Sequence, residues 1–199
     1  MPSGVHIHNV RGHLFEAAER VLLRDGPDAL TSRAVTEEAN CAKGVLHRHF
    51  TDFDTFLAEL VLDRVRGVED RTAALRAVAG TGSVVDNLAD ALQDLFGPVA
   101  VAIVALITSR DGLRARLRDA GLTGIPLAMQ GTAMIAAYLT AERESGRLAG
   151  DADIDTLAPT LVGAGHLLFA DRTSAPPQST AIHKMVTTVM AGALRPPQS

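Results

Sequence analysis

Apolar residues recur at helical spacing along almost the whole chain. Over residues 10–24, Leu14, Ala17, Ala18, Val21 and Leu22 fall on one face, three and four positions apart as an amphipathic helix requires, and Asp25-Gly26-Pro27 ends the run. Over residues 31–50, Val35 and Ala39 make one short inward face and Leu46 and Phe50 a second, with Asn40 between them. From a cap pair at Thr51-Asp52, the residues Phe53, Phe56, Leu57, Leu60, Val61, Val65 and Val68 carry an unbroken stripe to about residue 79, long for a globular helix. Beyond Gly80-Thr81-Gly82 the same reading predicts helices over 83–96, 99–109, 113–120, 125–145, 154–170 and 180–194. Gly97-Pro98, Asp111-Gly112, the stretch 146–153 and Ala175-Pro176-Pro177 punctuate them. No strand pattern of period two survives and no repeat is visible, so the chain is expected to be all-α.

The segment 31–50 carries chemistry as well as pattern. Thr31 is a suitable N-cap, its hydroxyl able to accept from an orphaned backbone N–H. Asn40 stands where one helix must stop and another begin steeply, and after Gly it tolerates the left-handed conformation best. Cys41 follows as a small apolar plug. With a second helix starting at Lys43, Leu46 and Phe50 face inward and Lys43, Gly44, Val45, His47, Arg48 and His49 remain outside. Donors and small contacts of that kind suit the base edges of a major groove, and two short helices joined by a tight turn are the layout of a helix-turn-helix reader.

From Leu14 the string LFEAAERVLLRDGPDALTSRAVTEEANCAKGVLHRHFTDFDTFLAELV resembles the N-terminal domain of the tetracycline-repressor (TetR) family of transcriptional regulators. The matching positions are Ala17-Ala18, Gly26, the Thr31 cap, Lys43-Gly44 and Arg48-His49-Phe50. The resemblance implies an N-terminal three-helix helix-turn-helix DNA-binding domain over 6–52, a connecting helix over 53–79, and a larger helical domain over 80–199 for effector binding and dimerisation, about nine or ten helices in all. Three positions depart from the family pattern: Asn40 replaces the turn Gly, His47 the usual Tyr, and Phe53 the usual phosphate-contacting Lys. Without a cation at 53, the phosphate grip falls to Lys43, Arg48, Arg33, backbone N–H groups at helix starts, or charged forms of His47 and His49. In this reading Arg48, Lys43, Val45 and His49 reach base edges, Arg48 being best suited to a bidentate contact with guanine, while Thr31, Ser32, Arg33 and His47 hold phosphates.

The last two helices have clean apolar stripes: Leu157, Leu161, Ala164, Gly165, Leu168 and Phe169 on one, Ile182, Met185, Val186, Val189, Met190 and Ala193 on the other. Such stripes can serve a monomer core or pack against a second copy as a four-helix bundle, with Gly163, Ala164 and Gly165 permitting close approach. The resemblance favours the homodimer, and reading a palindrome requires two recognition helices. The middle helices would then enclose an effector among Leu88, Leu92, Phe96, Val101, Val104, Ile107, Met129, Met134 and Leu167, oriented by Thr108, Gln130, Tyr138 and His166. A lining with so little fixed charge favours a small lipophilic effector.

The chain of 199 residues is 47% hydrophobic but 4% aromatic, so Ala, Leu and Val carry the packing, which favours helices. Net charge is −4, and in the first fifty residues Arg11, Arg20, Arg24, Arg33, Lys43 and Arg48 are balanced by Glu16, Glu19, Asp25, Asp28, Glu37 and Glu38. The strongly basic patch common in nucleic-acid binders is missing, so the motif must outweigh the charge. The single cysteine, Cys41, excludes an internal disulfide framework. No leader is visible, and the most apolar segment, 99–107, is too short to cross a bilayer, so a cytoplasmic protein without membrane partners is expected. There is no phosphate loop and no nucleophile elbow. His6, His8 and His13 lack metal-ligand spacing and suit a flexible, partly protonated arm touching phosphates. Asp151, Asp153 and Asp155 suit a helix cap. These features lead to a non-enzymatic transcriptional regulator, a repressor that binds a palindromic double-stranded operator as a homodimer and is released by a small molecule, with no cofactor and no metal. The alternative is a helical small-molecule-binding protein or enzyme that has lost DNA binding.

Overall fold

The computed structural model describes residues 9–170 and 177–195. His6, His8 and the turn residues Ala175 and Pro176 lie outside them. Among the described residues there are ten helices: α1 (Val10–Asp25), α2 (Ser32–Glu38), α3 (Val45–His49), α4 (Phe53–Ala77), α5 (Val84–Leu95), α6 (Pro98–Ser109), α7 (Asp111–Asp119), α8 (Pro126–Glu144), α9 (Ile154–Phe169) and α10 (Ser179–Met190). The all-α expectation holds, and helix ends fall within a few residues of those read from periodicity. The last helix stops at Met190 rather than 194 because the backbone beyond it is used elsewhere: Ala149 N–H donates to Ala193 O at 2.8 Å and Arg195 N–H to Arg147 O at 3.0 Å, a short antiparallel clasp centred on Leu148 and Leu194. No single described helix is long and apolar enough to cross a membrane.

The chain forms two compact units, Met1–Leu62 with Ala102–Thr123, and Asp63–Val101 with Gly124–Ser199. Of the three boundaries, two fall inside helices, α4 and α6, and the third lies in the link between α7 and α8. In the first unit α1 buries Leu14, Ala17, Ala18, Val21 and Leu22 completely, together with Val35, Leu46, Phe56, Leu57, Leu60 and Leu113. Four of the six phenylalanines gather here. Phe56 lies 5.6 Å from Phe15, 5.0 Å from Phe50 and 5.6 Å from Phe53, centroid to centroid, so the scarce aromatic surface goes into the smallest core, where each ring replaces the most water-exposed area. The segment 102–123 braces this core. Arg110 donates to the carbonyls of Pro27 (3.1 Å) and Leu30 (2.6 Å), and Arg116 pairs with Asp52.

In the second unit, α8, α9, α10 and α5 pack on one another around Leu88, Leu92, Ile135, Tyr138, Leu139, Leu161, Val186 and Met190, all fully covered. A Cβ added at Gly165 would come within 2.9 Å of the Phe96 ring, so this glycine permits a close approach inside the chain. A polar latch closes one end of the unit. The carboxylate of Glu142, fully buried, accepts from Gly80 N–H at 3.3 Å and faces Arg147 Nε at 3.4 Å. The Arg147 guanidinium donates to the carbonyls of Thr81 (3.0 Å) and Gly82 (2.6 Å). Asn87 Nδ2 donates to Thr81 O (3.1 Å) and Tyr138 Oη (2.9 Å). Burial, and after it the neighbouring Glu142 carboxylate, pushes the Tyr138 phenol up. Every member is therefore satisfied, as a buried polar group must be.

Candidate nucleic-acid interface

Geometry at the α2–α3 junction follows from a handful of side chains. Thr31 caps α2, its hydroxyl accepting from Ala34 N–H at 3.2 Å. At the other end Asn40 has φ 51°, the left-handed conformation expected of it. Around it Asn40 N–H donates to Glu37 O (3.1 Å) and Cys41 N–H to Thr36 O (2.9 Å), the paired closure of a Schellman turn. Cys41 is half-buried with Sγ 3.4 Å from Ala39 O. His13 Nε2 lies 2.9 Å from that same carbonyl. His13 therefore belongs to α1 and ties it to the turn, instead of extending an N-terminal arm.

Lys43 and Gly44 form a turn, closed by Val45 N–H to Ala42 O at 2.9 Å, and the helix proper begins at Val45, two residues later than periodicity suggested. Leu46 and Phe50 are buried, Val45 is half-buried, and Lys43, Gly44, His47, Arg48 and His49 are exposed. Each of the expected base-reading positions is therefore at least partly accessible. Thr31 and Arg33 are exposed, and Ser32 is half-buried.

The neutral charge of the segment resolves into pairs. Glu38 takes both Arg24 (2.7 Å) and Arg20 (2.8 Å), which together hold its carboxyl below the usual range, Arg24 most. Arg33 is spent on Glu37 at 2.7 Å, Arg11 on Glu59, Arg114 on Asp111 and Arg116 on Asp52. Asp52 caps α4, and its bond from Thr55 N–H keeps its carboxyl low, with Arg116 adding to this. Among the described residues of this unit, Lys43, Arg48, Arg110 and Arg118 have no carboxylate partner; Arg110 is held by the Pro27 and Leu30 carbonyls, and two of the remaining three stand at α3. Phe53, where the family resemblance places a cation, stacks on Phe56 and has the Arg110 guanidinium carbon 5.7 Å from its ring centroid.

The residues read as an effector lining fall in both units. Val104 and Thr108 belong to the first unit, and the Thr108 hydroxyl donates to Val104 O at 3.0 Å. Tyr138 is fully buried in the latch, Phe96 is buried against His166 (5.8 Å) and Phe169 (6.1 Å), and Met129 is 54% exposed. Gln130 is half-buried with Oε1 unpartnered. Met134 alone of that group lines the hollow between α4, α5 and α8, whose other walls are Arg71, Ala74, Leu75, Val78, Asn87, Asp90, Ala91 and Asp94. Sequence reading missed Asn87, Asp90 and Asp94, although their spacing of three and four puts them on one face of α5. Of the residues read as a dimer face, Leu161, Gly165, Ile182, Val186 and Met190 are already covered within one chain, while Leu157, Leu168, Met185 and Val189 are partly open and neighbouring Leu167 is 75% exposed.

A capped helix, a left-handed turn and a short cationic helix with one apolar face define a helix-turn-helix protein. Residues 14–60 match the family model of bacterial regulatory proteins of the tetR family. The whole chain has the same fold as solved regulators of low identity. A TetR-family regulator from Mesorhizobium loti MAFF303099 is 16% identical, with a TM-score of 0.70 and coverage of 96% of this chain and 100% of the other. A regulator from Saccharomonospora viridis in complex with choline is 15% identical, with a TM-score of 0.71 over 95% and 100%. FadR from Bacillus subtilis in complex with stearoyl-CoA is 14% identical, with a TM-score of 0.66 over 91% and 98%. No curated protein matches the chain.

Proposed function

We propose that the protein is a repressor that binds a palindromic operator as a homodimer and leaves it when a small molecule binds. The observation that carries this reading is the sorting of charge in the first unit: among the described residues its other arginines, Arg118 excepted, are held by carboxylates or backbone carbonyls, whereas Lys43, just before α3, and Arg48, within it, are exposed and unpaired. Arg48, Lys43, Val45 and His49, with Gly44 giving room for the backbone, meet base edges; Thr31, Ser32, Arg33 and His47 meet phosphates. Exposed Leu167 with Leu157, Leu168, Met185 and Val189 offers the second copy an apolar face on α9 and α10. The solved regulators in complex with choline and stearoyl-CoA support a small-molecule effector, which we place in the second unit. Because α4 runs unbroken through Leu62 and Asp63, it is the element through which an effector would act on the DNA-binding end. Releasing a mostly bound population requires an effector preference of about 5 kcal/mol for the free form.

A mobility-shift titration with the intergenic DNA beside the protein's own gene, at two salt concentrations, tests this. Specific binding that weakens with salt is expected. Failure to prefer that DNA over random duplex at either salt would favour a helical small-molecule-binding protein that has kept the fold without its DNA function.

A further inference from the structure

The hollow between α4, α5 and α8 has a volume of about 220 Å³, below the usual range of ligand sites, so its occupant must be compact. Its apolar lining is Ala74, Leu75, Val78, Ala91 and Met134, with Leu75 and Met134 the buried members that form its floor. Its polar groups are mostly acceptors. Asp90 and Asp94 are exposed at the rim and, among the described residues, form no ion pair. Asn87 spends its Nδ2 on Thr81 O and Tyr138 Oη, so what it has left to offer is the acceptor Oδ1. One cation, Arg71, stands against the two carboxylates.

Arg71 and Asp94 are also shared with a second hollow, about 230 Å³, whose further lining includes Arg64 but neither Asn87 nor Asp90. The acceptor-rich part of this lining is therefore the one at Asn87 and Asp90. An anion there would meet two carboxylates for one guanidinium, whereas a protonated amine meets three acceptors and an apolar floor.

We propose that this hollow binds a small amphiphile with a protonated amino group, its head at Asn87, Asp90 and Asp94 and its apolar body on Leu75, Val78 and Met134. The effector role of such a ligand rests on the regulator reading above; the binding does not. Asn87 makes occupancy consequential, because the side chain that lines the hollow also holds Thr81, in the turn that follows α4.

Calorimetric titration of the full chain, without DNA, with phenethylammonium, 2-phenylethanol and 3-phenylpropanoate tests the assignment. Phenethylammonium is expected to bind about five- to tenfold more tightly than the alcohol and the carboxylate least. In the Asp90→Asn, Asp94→Asn double variant, whose changes are at the surface, that preference disappears, and Ala91→Phe, which fills the hollow, removes binding of all three. Equal binding of amine and alcohol, tighter binding of the carboxylate, no binding at all, or a preference that survives the double variant would each overturn it. A mobility shift on the same samples keeps the two proposals apart: amine binding without any operator complex sinks the regulator and leaves this site standing, and an operator complex without amine binding does the reverse.

Discussion

Arg11 holds its guanidinium carbon 4.7 Å from the centroid of the Phe50 ring, the residue that closes α3, while donating to Glu59 on α4. One exposed side chain thus ties α1 to both the end of the recognition helix and the helix after it. Arg11→Ala is expected to lower the stability of this unit by about 1 kcal/mol, a cation–π contact and a surface pair together. Urea unfolding followed by a probe in the first unit measures it, and no change in midpoint would show that the ring contact contributes nothing.

Arg48 and Arg33 differ in what they have to give. Arg48 is exposed without a carboxylate, whereas Arg33 must leave Glu37 to reach DNA. Under the proposed function, Arg48→Ala costs about 1 to 3 kcal/mol of operator affinity and relaxes one base position, and Arg33→Ala costs well under that. Anisotropy titrations against single-base operator variants distinguish them; equal weakening on every sequence would make Arg48 a phosphate contact.

Asn40 occupies left-handed backbone at φ 51°. Asn40→Gly should change stability by less than about 0.5 kcal/mol, and Asn40→Val should lower it by about 1 to 2 kcal/mol, since a β-branched residue has no comfortable left-handed state. Thermal unfolding reads both changes. Exchange of the Cys41 amide, bonded to Thr36 O, locates the second at the turn.

Tyr138 gives the protein an alkaline limit. Its folded pKa is raised, by burial first and Glu142 next, above the ordinary 10.0, so folding favours the neutral phenol. That contribution is fully present below about pH 10 and is lost as pH rises past it toward the folded value. Tyr138→Phe is expected to start less stable by about 1 to 3 kcal/mol, because Asn87 loses a buried partner, and to lose less between about pH 8 and about pH 11 than the parent. Guanidinium unfolding at the two pH values checks the difference; parallel losses would place the alkaline limit elsewhere.

What the sequence made legible was local. Thr31, Asn40 and Asp153 act within three residues of themselves, and Thr31 and Asp153 cap as their residue types require, with Asp153 accepting from Thr156 N–H at 3.1 Å. Helix faces were legible for the same reason, since period alone assigns Leu14 or Val186 to an inside. Pairings across the chain were not. Nothing near Glu142 in sequence announces Gly80 as its donor, 62 positions away, or Arg110 as the brace for Leu30, 80 positions away. Period also cannot say which inside a residue serves: Gly165 resembles a residue for contact between copies and instead admits Phe96. Counting charges misled in the same manner. A sum of zero over the first fifty residues hides that its positive terms are mostly engaged, and the unengaged ones stand together.

That economy of free charge bears on how such a protein would find its site. Non-specific hold on a duplex grows with each phosphate neutralised, and a dimer offering Lys43 and Arg48 twice would neutralise few. It would spend little time sliding along random sequence and would arrive mainly from solution, so its genomic occupancy would track the quality of the operator far more than the amount of DNA nearby.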